Sequence, residues 1–100
     1  MNPNELVVEM IDHIKAMSDE LYSVKSDILE KTALIEVLET RYSDLKRIDG
    51  WKDDIIKAKD RLKKEREELI KLKQSELHLT NEVEKSRLEY SAISARRLEV

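Results

Sequence analysis

The sequence predicts an all-α fold: a long antiparallel helical hairpin, a two-helix coiled coil that dimerises into a four-helix bundle. Three observations carry the expectation. The 100-residue chain has one Gly and one Pro, against about seven and about five for an average chain of this length. Turn-rich sandwiches, barrels and compact α/β folds are therefore excluded. The apolar residues step by three and four along almost the whole chain, which is the period of a helix with one packing seam and argues against disorder despite 41% charged residues. The frame of that repeat slips by one residue where the sole glycine lies.

The first helix is expected over residues 3–48. In Asn2-Pro3-Asn4-Glu5, Asn2 can cap, Pro3 suits the first helical position and Glu5 meets the positive end of the helix dipole. Heptad position a is filled by Val7, Ile14, Leu21, Ile28, Ile35 and Tyr42, and position d by Met10, Met17, Val24, Lys31, Leu38 and Leu45. Only Lys31 interrupts the two rows.

The turn is expected at residues 49–51, Asp49-Gly50-Trp51. Glycine reaches the left-handed backbone just beyond a helix end at low cost, and Asp49 or Asp53 is placed to cap the next helix. Trp51 has two readings, an anchor for a partner or a lid over the seam end against Ile48 and Ile55, and the second is favoured because both apolar neighbours are so near.

The second helix is expected over residues 52–97. Its a row is Ile55, Leu62, Leu69, Glu76, Val83, Tyr90 and Arg97, and its d row is Ala58, Glu65, Leu72, Leu79, Ser86, Ile93 and Val100. Folding the chain back at Gly50 places residue i opposite residue 100 − i. Every a then faces a d, for example Met17 with Val83 and Leu38 with Leu62. Lys31 and Glu65 fall one turn apart across the seam. They are placed to pair, although the favoured reading is that both snorkel to solvent. Residues 1–100 form one domain on this reading.

A single seam leaves apolar residues over: Leu6, Val8, Ile11, Leu29, Leu34 and Val37 in the first helix, and Ile56, Ile70, Leu77, Leu88 and Leu98 in the second. Ile56, Ile70 and Leu77 share heptad position b. Burying several such side chains is worth several kcal/mol at about 25 cal/mol per Å², and a second copy or a protein partner would supply that burial. The residues expected to mediate self-association or partner binding are Ile56, Ile70, Leu77, Ile11, Leu29, Leu34 and Trp51.

Charge is unevenly spread. Residues 1–50 hold 6 Lys/Arg against 11 Asp/Glu, and residues 51–100 hold 13 against 11. Between Lys57 and Lys73 lie eight Lys/Arg and four Asp/Glu. Lys57, Lys64 and Lys71 fall at position c, and Lys59, Arg66 and Lys73 at position e, a stripe that could follow phosphates. The net charge of −3 and the lack of interleaved aromatics put nucleic-acid binding second. A parallel coiled-coil spacer or scaffold rod is a further alternative.

Catalytic signatures are missing: no Gly-rich phosphate loop, no H-E-x-x-H and no cysteine. A two-helix arrangement is expected to lack a concave pocket of the usual size. His13 and His78 have no second ligand at metal spacing. The expected protein is not an enzyme and takes no cofactor or metal. The start lacks a basic n-region and the longest apolar run is Leu6-Val7-Val8, so neither a signal peptide nor a membrane span is expected. Zero cysteines fit the cytoplasm. In outline, with equal arms and a Gly/Trp turn, the chain resembles the small secreted W-x-G helical hairpins. Its turn reads Gly50-Trp51 without W-x-G, and position 94 is serine where that family's export signal has an acid, so nothing of that family's role is carried over.

Overall fold

The computed structural model describes residues 3–48 and 51–98. It forms an all-α helical hairpin of α1 (Pro3–Arg47) and α2 (Lys52–Leu98), with no strand among the described residues. The helix ends agree with the heptad limits to within one residue. The expected cap Asn2, the turn residues Asp49 and Gly50, and the last seam position Val100 lie outside the described residues, as do the side chains of Arg97 and Leu98.

Charge suits the helix ends: Glu5 lies in the first turn of α1, and Lys46 and Arg47 in its last turn, opposing the dipole at both ends. The start of α2 differs from expectation. The Trp51 carbonyl accepts the Ile55 N–H at 3.1 Å, which makes Trp51 the residue that leads into the helix. Asp53 lies inside the first turn with Asp54, where both meet the dipole instead of capping. Threonines inside the helices bond locally: the hydroxyls of Thr32, Thr40 and Thr80 donate to the carbonyls of Ile28, Glu36 and Glu76 one turn back.

Contacts gather in two compact units. The first contains residues 1–24 and 75–100, the second residues 25–74. In the first unit Val7, Met17, Leu79 and Val83 are buried. In the second, Ile35, Leu38 and Leu62 form a buried cluster, with Leu34, Tyr42 and Leu69 packed against it. All seven residues that are buried among those described belong to the a and d rows, and every described position of those rows is buried or half-buried.

The polar seam residues of the second unit do not escape to water. The Lys31 ammonium donates to Glu65 at 2.6 Å and to Glu68 at 2.7 Å. The Lys31 and Glu65 side chains are 21% and 13% exposed, so the snorkelling reading gives way to a bridge across the seam. A charge at a d position costs least when a carboxylate from the facing helix meets it as it leaves water. The hydrogen bonds to Glu65 and then Glu68 hold the Lys31 ammonium above its ordinary range. The hydrogen bond from Lys31, with its charge, holds the Glu68 carboxyl below the usual carboxylate range. This bridge joins α1 to α2 across the hairpin.

Candidate partner-binding face

An antiparallel pair has two flanks, one built from positions e and b and the other from g and c. The Arg66 guanidinium donates to Glu39 at 3.0 Å, and both residues are at position e, so this ion pair identifies the e/b flank of the second unit. A groove of about 940 Å³ runs there, with Tyr42 and Leu62 from the a rows in its lining. Ile56 and Ile70 line it from position b of α2, and Ser43 from position b of α1. Lys59, Lys63 and Arg66 supply cations to its rim; Glu39, Asp60 and Glu67 supply carboxylates. The expectation of no sizeable concavity is therefore corrected for this unit. Two helices whose e positions carry long polar side chains leave a furrow over the a row that only a third element would fill. Its 940 Å³ is within the usual size range of ligand sites, but it is an open furrow and not an enclosed cavity.

Most of the residues expected to bind a partner are exposed. Ile56, Ile70 and Leu29 are exposed in the second unit, and Ile11 and Leu77 in the first. Leu34 is the exception: its g position adjoins the seam, and it packs half-buried against the Ile35–Leu38–Leu62 cluster. Trp51 is 83% exposed and Ile48 is exposed as well, so the reading of Trp51 as a lid over the seam end is overturned. As the residue before the first helical turn, Trp51 does not share the frame that turns Ile55 inward.

The apolar row at position b is not confined to α2. Val8, Tyr22 and Leu29 of α1 also occupy position b, and Ile11 occupies e; all four are exposed. Within each unit, then, exposed apolar side chains recur on the e/b flank from both helices. Lettering the surplus apolar residues of α1 in its own heptad frame would have shown this.

The basic stripe is rearranged by the helix. Positions c and e are about 160° apart around a helix of 3.6 residues per turn. Lys57, Lys64 and Lys71 therefore lie on the flank away from Lys59, Arg66 and Lys73, with Asp60 and Glu67 between them; all eight are exposed. Arg66 is already paired with Glu39. His13 and His78 are exposed. No helix is long and apolar enough to cross a membrane among the described residues.

No family model matches the chain, and neither a curated protein nor a solved structure matches it.

Proposed function

We propose that the chain is a non-catalytic protein–protein interaction module, an adaptor, assembly factor or inhibitor, acting as a homodimer of helical hairpins that pack into a four-helix bundle. The observation that carries this reading is the groove on the e/b flank, where exposed Ile56 and Ile70 stand beside the partly covered Tyr42 and the seam residue Leu62. Surface area supports it. The chain exposes 8003 Å² at 11.8 kDa, whereas a folded monomer of that mass exposes about 5,900 Å². The excess, about 2,100 Å² per copy, is what each partner of an obligate dimer covers when the interface totals roughly 2,000–5,000 Å².

Sedimentation equilibrium of the wild type and of the Ile56→Lys/Ile70→Lys variant tests the proposal. The wild type is expected to be dimeric at micromolar concentration, and the variant monomeric with unchanged helicity by circular dichroism. A wild type that stays monomeric throughout the micromolar range would refute it.

A further inference from the structure

The g/c flank of the second unit carries a different chemistry from the groove. The a rows floor the groove; the d rows floor this flank. A hollow of about 290 Å³ opens there over Leu38, Leu45 and Ala58. Ala58 is its cause. In the seam layer that sets residue 58 opposite residue 42, Tyr42 lines the groove on the other flank. Alanine fills its own position with a single methyl group, so the layer is left open on this side.

The walls of the hollow are cationic. Arg41, at position g of α1, stands on one side; Lys57 at c and Arg61 at g of α2 stand on the other. All three are exposed and form no ion pair among the described residues. Position g ordinarily carries salt bridges between helices, yet here two guanidiniums line one space. The single carboxylate in the lining, Asp54, lies in the first turn of α2, where the helix dipole offsets part of its charge. Along its whole length the flank holds five Lys/Arg and five Asp/Glu, but the signs are segregated. Asp27, Glu30 and Glu68 stand toward Lys31, which Glu68 binds. Asp44 lies outside the lining and pairs with Arg47. Three cations against one carboxylate leave the hollow with a formal charge of +2.

An apolar floor between cationic walls suits a carbon skeleton with an acid at each end. A guanidinium offers a carboxylate two parallel N–H donors, and here each helix supplies one guanidinium. The floor covers methylene groups, which a compact hydrated anion such as phosphate does not bring. We infer that this hollow binds a small dicarboxylic acid, one carboxylate on Arg41 and the other on Arg61 and Lys57. Its volume is just under the usual range for ligand sites, the size for a short chain. The site is on the flank away from Ile56 and Ile70, so it does not rest on the homodimer proposed above.

Titration of the full chain with adipate, followed by the NMR shifts of its backbone amides, tests the inference. Hexanoate, with the same carbon count and one acid, is the control. Adipate is expected to give saturable shifts centred on residues 38–61, and hexanoate to bind about tenfold more weakly. Arg41→Gln and Arg61→Gln should each weaken adipate about tenfold with unchanged helicity by circular dichroism. Asp54→Asn should tighten it, a gain that a misfolded variant cannot give. Lys59→Gln with Lys63→Gln, on the groove flank, should leave the affinity within about twofold. No saturable shift with adipate throughout the millimolar range would overturn the site. So would hexanoate binding as tightly as adipate, or the Lys59/Lys63 variant losing as much as the arginine variants. None of these results bears on whether the wild type is a dimer.

Discussion

Lys31 Nζ of α1 lies 2.6 Å from Glu65 Oε2 of α2, a salt bridge spanning 34 residues of sequence in the otherwise apolar seam of the second unit. Glu68 closes on the same ammonium from one turn away at 2.7 Å. One cation shared by two carboxylates of the facing helix fits only one alignment. A slip of one heptad would place an aliphatic side chain against Lys31 and leave the charge partly buried without a partner.

The bridge therefore predicts a reciprocal effect. Lys31→Glu crowds three carboxylates and is expected to lower the thermal midpoint by several degrees. Lys31→Glu combined with Glu65→Lys restores one pair and is expected to recover most of the loss. Thermal melts followed by circular dichroism check both. A double variant that melts below the single one would show that the bridge does not act as a pair.

The pH profile has two edges. Lys31 is held above its ordinary value. Its contribution is complete below the unfolded lysine pKa of about 10.4 and is lost as pH rises through the higher folded value. Glu68 is held below its ordinary value. Its contribution is complete above about 4.3 and is lost as pH falls through the lower folded value. Lys31→Met should flatten both edges relative to the wild type, as read from thermal midpoints between acid and alkaline pH. Unchanged edges would count against the linkage.

Truncation should separate the core from the surface. Leu62 is 3% exposed within the Ile35–Leu38 cluster, so Leu62→Ala is expected to cost about 2–3 kcal/mol. Leu88 is exposed at position f, so Leu88→Ala should stay within about 0.5 kcal/mol. Urea titration of both variants measures the contrast.

The c row should be dispensable for self-association. Lys57→Glu, Lys64→Glu and Lys71→Glu together alter the flank opposite the groove and are expected to leave the dimer affinity within about threefold, since exposed charges remote from an interface act weakly. If the same triple change abolished a salt-dependent mobility shift of a nucleic acid that the wild type produces, the phosphate-binding alternative would gain the support it now lacks.

The a and d rows were legible because a helix that buries one stripe must repeat apolar residues at steps of three and four, and 3.6 residues per turn leaves little freedom in choosing them. The same arithmetic placed Leu38 opposite Leu62. It could not settle Lys31, because a long side chain at position d reaches either solvent or the facing helix, and the choice depends on where the rotamers of Glu65 and Glu68 put their oxygens. Trp51 was misjudged for a related reason: nearness in sequence to Ile48 and Ile55 is not packing when the backbone at 51 has not yet entered the helix. The groove needed knowledge of which flank holds e against e, and the Glu39–Arg66 pair supplies that knowledge only in three dimensions.

The solvated indole of Trp51 has a practical consequence. The chain's one tryptophan already sits in water while the helices are formed, so its emission maximum should hardly move on denaturation, and fluorescence would report a native chain and a melted one alike. The same fluorophore is a nearly background-free sensor for any molecule that settles over residue 51, where a blue shift would mark the arrival.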